Sequence, residues 1–220
     1  ADVQVGNASL SSYQTLMYCS GPTSSYKFSN YMALYTPQEV PSGKLVSLAW
    51  KKVSNFEYPH YDATIRIYLK NSSLTAVPTA SGSFASQLSG ATLVYEGTME
   101  GFTSNTGWQK YYFNKNLFQY SGQQNLMLLV YFNRPQAMDQ TAWEYTSIAN
   151  MARTWAGPSD PPTTGYATGR RANTLFGYPA VAGNYDAGIA EITEPFGTVQ
   201  SNTSIPVKVK IQNHGIQNLT

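Results

Sequence analysis

Apolar residues along this chain recur with period two or in short runs, and no stretch shows the 3.6-residue repeat of an amphipathic helix. Residues 63–69 are the clearest case: Ile65, Ile67 and Leu69 point one way, and Thr64, Arg66 and Tyr68 the other, as on a half-buried strand. Residues 45–50, 92–96 and 108–113 predict further strands, and 126–132 is apolar enough for a central one. Residues 3–10 alternate more loosely and end before the Gly21-Pro22 breaker. Turn clusters at 41–43, 81–82, 89–90, 105–107 and 121–122 separate these runs. Only residues 36–40 read as a helical turn, with Thr36 as N-cap and Pro37 at the first helical position. Strands at this spacing, without crossover helices, predict an all-β fold, a β-sandwich or jelly roll.

The pattern also divides the chain. Residues 157–169 are rich in Pro, Gly and Thr and read as a loop. Residues 173–178 close the first domain as a last strand, ended by Pro179. The expected layout is a jelly-roll β-sandwich over 1–179, a linker over 180–184, and a new unit over 185–220. In that unit residues 186–192 and 205–211 read as strands, with Val207, Val209 and Ile211 alternating against Lys208, Lys210 and Gln212. Two strands do not make an independent sandwich, so this segment is expected to be the start of an incomplete domain.

Composition narrows the function. Charged residues are 12% of the 220, about half the usual share, and Ser, Thr, Asn, Gln, Gly and 17 Tyr take their place. A net charge of +2 is too small for phosphate-driven binding, so nucleic acid is not an expected partner. No apolar run approaches the ~18 residues of a membrane-spanning helix, so no transmembrane segment is expected. The start also lacks the basic and apolar regions of a signal peptide, so any leader is expected to be gone already. The single cysteine, Cys19, reads as a small buried side chain, and no Cys/His set is suited to zinc. Together these features suggest an extracellular protein that does not rely on disulfides.

Several motifs, in order, resemble the jelly-roll modules of large surface proteins that Bacteroidetes export by the type IX secretion system. Thr36-Pro37-Gln38-Glu39-Val40 followed by Gly43-Lys44-Leu45-Val46-Ser47-Leu48-Ala49-Trp50 is similar to their opening motif. Ile65-Arg66-Ile67-Tyr68-Leu69 and Leu93-Val94-Tyr95-Glu96-Gly97 resemble two of their strands. Gly107-Trp108 with Tyr112-Phe113, Phe118-Gln119-Tyr120-Ser121-Gly122, and Asn125 through Val130 continue the series, and Arg170 through Phe176 resembles its close. The tail from Tyr185 to Gly215 resembles the first strands of an Ig-like module. The resemblance implies a secreted, multidomain protein on the exterior of the outer membrane, including adhesins of gliding bacteria. It does not fix an activity, since such modules also flank secreted hydrolases.

The residues themselves offer little catalytic chemistry. His60 lies in Glu57-Tyr58-Pro59-His60-Tyr61-Asp62, where a metal or acid–base role competes with a polar loop carrying aromatic packing. No G-x-S-x-G elbow or H-E-x-x-H pair accompanies it. Glu96, Glu100, Asp139, Glu144 and Asp160 show no spacing that pairs them as glycosidase carboxylates. No cofactor is implied, and a structural Ca²⁺ has no acidic loop run to support it. Aromatic side chains favour binding instead: Tyr58, His60, Tyr61, Trp155 and Tyr166 are the loop candidates for ligand contact, whereas Trp50 and Trp108 are assigned to packing. Of Arg170 and Arg171, one is expected to be a structural donor at the last strand. The expected function is a non-catalytic module for adhesion, display or assembly, with outer-membrane or envelope proteins or surface glycans as partners. The alternatives are a carbohydrate-binding module of a secreted multidomain hydrolase, or a hydrolase using His60 beside Glu57 or Asp62.

Overall fold

A computed structural model describes residues 1–18, 25–54, 63–80, 82–98, 105–135, 141–179, 187–194, 204 and 206–213. Along the chain run β1 (Asp2–Val5), β2 (Leu10–Ser12), β3 (Phe28–Tyr35), β4 (Gly43–Leu45), β5 (Ser47–Lys52) and β6 (Thr64–Ser72). After a short helix α1 (Ser83–Gln87) come β7 (Thr92–Thr98), β8 (Gly107–Tyr112), β9 (Phe118–Tyr120), β10 (Asn125–Asn133) and β11 (Trp143–Ser147). Then follow β12 (Ala152–Gly157), β13 (Thr164–Thr168), β14 (Arg170–Ala172), β15 (Thr174–Gly177), β16 (Ala187–Glu194) and β17 (Lys208–Asn213). The fold is all-β, of the β-sandwich and jelly-roll class. The chain divides into two compact units, Ala1–Pro179 and Ala180–Thr220. The described part of the second unit is the antiparallel pair β16–β17.

In the first unit one sheet runs β13-β12-β3-β10-β6-β7. The other runs β1-β15-β5-β11-β14, with β2 also on β11 and β8 on β5. Period-two alternation explains how they meet. Ile65, Ile67 and Leu69 of β6, Leu128 and Val130 of β10, and Tyr31, Ala33 and Tyr35 of β3 pack against Leu48 and Trp50 of β5, Trp143 of β11 and Phe176 of β15 in one core. The continuous apolar run of β10 is central, as expected, lying between β3 and β6. Its alternate residues Met127 and Leu129 join Met32, Leu34, Phe84 and Trp155 in a second, smaller cluster on the outer face. α1 is what covers that face: Phe84 is buried and Leu88 packs beside it. The helix was not expected, because it lasts only five residues and lies between the turn clusters at 81–82 and 89–90.

One further element departs from the sequence reading. Residues 157–169 are not simply a loop, since β13 pairs with β12 as a hairpin arm. Its Thr-rich composition suits an edge strand as well as a coil. Residues 36–40 do form one turn, with the Val40 N–H donating to the Thr36 carbonyl at 3.1 Å. Glu39 reaches back over that turn: its Oε2 accepts from the Thr36 N–H at 2.8 Å, one half of a capping box, and from Thr36 Oγ1 at 3.2 Å.

Glu39 also receives the Arg171 guanidinium, through both Nη1 (2.9 Å) and Nη2, while Nη1 donates to the Leu34 carbonyl at 3.0 Å. Arg171 is buried and lies 4.9 Å over the Tyr35 ring. Because Arg171 is on β14 and Glu39 follows β3, this fork ties one sheet to the other. Arg170 is also a structural donor, to Ser12 Oγ and Gln14 Oε1, both at 2.7 Å. Burial alone pushes the Glu39 carboxyl up, but the hydrogen bonds from Arg171 and Thr36 outweigh it and hold the carboxyl below its ordinary range. A depressed carboxylate stabilises the fold above its unfolded pKa of about 4.3, and that contribution is lost as pH falls through the folded value. Glu39→Gln therefore costs about 3 kcal/mol at pH 7, since it strands the buried Arg171. In urea melts across pH the gap to the wild type narrows below pH of about 4; a pH-independent gap would contradict the ion-pair assignment.

Candidate binding groove

The register of the six-stranded sheet lines up one row of side chains on its outer face. Arg66 on β6 is opposite Glu96 on β7, and Tyr131 on β10 is opposite both Arg66 and Asn30. Asn30 on β3 in turn faces Trp155 on β12. Phe84, Ala85 and Leu88 of α1 rise on one side of this row, and Asp160 and Pro161 of the β12–β13 connection on the other. Between them is a cavity of about 320 Å³, floored by Asn30, Arg66, Tyr68 and Tyr131. Such a volume is at the small end of ligand pockets.

Four charged groups and one tyrosine of the groove are tied to one another. Arg66 Nε donates to Glu96 Oε1 at 2.7 Å, and Lys115 reaches the other oxygen at 3.2 Å. The hydrogen bonds from Arg66 and Lys115 hold the Glu96 carboxyl below its ordinary value, and the bond to Glu96 raises Arg66. The Arg66 guanidinium lies 5.4 Å over the Tyr131 ring, a cation–π arrangement. The Tyr131 hydroxyl donates to Asp160 Oδ2 at 2.9 Å. Burial, and then this bond to a carboxylate, push the Tyr131 phenol up to about 12. Asn30 is not part of this network. It is 1% exposed, and its Oδ1 has no hydrogen-bond partner. A buried acceptor left open costs about 1–3 kcal/mol, a cost that Thr154 Oγ1 and Trp155 Nε1 on the neighbouring strand β12 share.

A second cavity, of about 490 Å³, lies among Gln4, Gly6, Gln38, Glu39, Thr146 and Arg171. Its charged groups are already matched: Arg171 and Glu39 are the fork that joins the sheets. It reads as a dent over a structural ion pair.

The residues singled out from sequence fare differently. Tyr58, His60 and Tyr61 lie outside the described residues, as do Glu57, Asp62, Cys19, Glu100 and Asp139. Trp155 is corrected: it is not a loop residue open to ligand but a strand residue of β12 with no exposed surface. It is buried because β3 and β13 flank its strand, Met32 and Leu34 pack beside it, and Arg153 lies 5.4 Å over its ring. Tyr166 is in strand β13, not in a loop, and its side chain lies outside what is described. Glu144 is taken up by Lys51 and Asn173, on the opposite sheet from Glu96. Trp50 is buried in the core, as expected, and Trp108 is half-buried on β8. Among the described residues no group of three His, Cys, Asp or Glu could hold a metal ion, and no helix is long and apolar enough to cross a membrane.

The groove residues Asn30, Arg66, Tyr68 and Tyr131 were not candidates from sequence. The one available signal was a polar Asn directly before the apolar run at 31–35.

No family model, curated protein or solved structure matches this chain.

The Tyr131–Asp160 bond has a direct check. Asp160→Asn lowers the Tyr131 phenol pKa from about 12 while leaving it above the ordinary 10.0, because burial remains the larger cause. Cζ resonances of ¹³C-labelled tyrosine, followed through alkaline titration, report the change; an unmoved Tyr131 would show that the bond is not made.

Proposed function

We propose that this chain is a non-catalytic recognition module of a secreted or cell-surface protein, serving adhesion, display or assembly on the exterior of the outer membrane. The observation that carries the reading is the groove. A rigid double sheet presents aromatic, cationic and carboxylate groups together in one recess, with hydrogen-bonding capacity of Arg66 and Asp160 left over. Glu96 is held by Arg66 and Lys115, and Asp160 accepts from Tyr131 through one oxygen. The ordered resemblance to type IX-secreted jelly-roll modules supports the surface location. A second reading, a carbohydrate-binding module of a secreted multidomain hydrolase, is favoured by the same recess, since either protein would use a sheet face for contact.

Two measurements test the proposal. Antibody labelling of intact cells of the native source should find the chain on their exterior, and fluorescently labelled protein should bind those cells saturably. Incubation with polysaccharide and peptide substrates should give no turnover. Cleavage of either substrate, or no saturable surface binding, would overturn the reading.

A further inference from the structure

We infer that the groove between α1 and the β12–β13 connection takes a neutral saccharide, with Arg66 and Asp160 as its polar contacts and Tyr68, Phe84 and Pro161 as its apolar ones. The inference rests on the recognition role proposed above and names the ligand of that role.

The chemistry of the lining selects the class. Asp160 spends one oxygen on Tyr131, and its other oxygen asks for a donor. Arg66 has Nε engaged by Glu96, and its remaining guanidinium N–H groups ask for acceptors. Acceptors and donors thus alternate within one small recess. Hydroxyl groups meet such a mixture because each one both donates and accepts. The rest of the lining is apolar and suits the C–H face of a pyranose laid against aromatic and aliphatic side chains.

Charge argues for a neutral ligand. Arg66 and Lys115 are balanced by two carboxylates, Glu96 at 2.7 Å and 3.2 Å from them and Asp160 across the groove. An incoming phosphate or carboxylate would meet no surplus positive charge and would have to approach Asp160. An extended peptide is also disfavoured. β6, β10 and β3 are each paired on both sides, so no free strand edge is open in the floor for a peptide to extend the sheet. The cavity of about 320 Å³ has room for roughly one or two sugar rings.

The test titrates the full chain with a panel of neutral gluco-, manno- and galacto-configured oligosaccharides, with oligogalacturonate as the charged comparison. Calorimetry measures affinity, and NMR of labelled tyrosine and arginine locates the contact. At least one neutral oligosaccharide should bind and shift the Tyr131, Tyr68 and Arg66 signals, while oligogalacturonate should not bind. Asp160→Asn should weaken binding about tenfold, as loss of one charge-assisted hydrogen bond does. Ala85→Trp, at an exposed position of α1, should fill the recess and abolish binding while the melting curve stays near the wild type. The inference is overturned if no neutral oligosaccharide binds at millimolar concentration, if the shifts fall outside the groove, or if folded Ala85→Trp binds as well as the wild type. Saturable binding to cells without sugar binding would remove the saccharide and leave the recognition role. Loss of both would remove both.

Discussion

The pleat of β10 is the constraint on which the rest of the first unit depends. Its nine residues face two different environments by turns: Leu126, Leu128, Val130 and Phe132 enter the core between the sheets, and Met127, Leu129 and Tyr131 the outer face. A sheet buried on one side only would need nothing beyond the sandwich. Because this one also carries apolar residues outward, α1 and its neighbours Leu74 and Val77 must lie over it. Their cover reaches only part of the way across. Where it stops, the outward row changes from Met and Leu to Tyr131, Arg66 and Asn30, and the groove begins. The recess is thus a consequence of incomplete cover over a sheet that is apolar on both faces.

The two sheets are joined by more than their apolar contacts. Tyr35 of one meets Phe176 of the other edge-on, with centroids 4.9 Å apart, and its hydroxyl bonds Thr174 Oγ1 at 2.8 Å. The Tyr31 hydroxyl accepts from the Ala172 N–H at 2.8 Å. With the Arg171–Glu39 fork, these contacts fix one sheet against the other by direction as well as by area. Directional contacts of this kind select one packing among the several that an apolar interface alone tolerates.

How much of this was legible follows from how each element is buried. Strand β6 could be read because its two faces differ, Ile65 and Ile67 inward and Arg66 and Tyr68 outward. β10 could be read because everything in its middle is apolar. β3 could not, because Ser29 and Asn30 are buried along with Tyr31 through Tyr35, so no period marks it. β12 was missed for a similar reason: Thr154, Trp155, Ala156 and Gly157 are all buried, so no alternation marks it. That error also misplaced Trp155 among the exposed rings. The groove was beyond reach of any local pattern. Its floor draws on residues 30, 66, 68 and 131, and only the register of three strands brings them together.

The first and last strands of the first unit lie side by side, with Asp2 opposite Gly177 and the Tyr178 N–H donating to the Ala1 carbonyl at 2.8 Å. Antiparallel hydrogen bonds run across the strands. A pull that separates Ala1 from Tyr178 therefore loads these bonds one after another, like the teeth of a zip, and not all at once in shear. Traction applied at these two points would peel β1 away at low force while the paired middle of the six-stranded sheet, with its recess, stayed closed. The unit would also contribute almost no contour length between those points, hanging to the side of the line of tension.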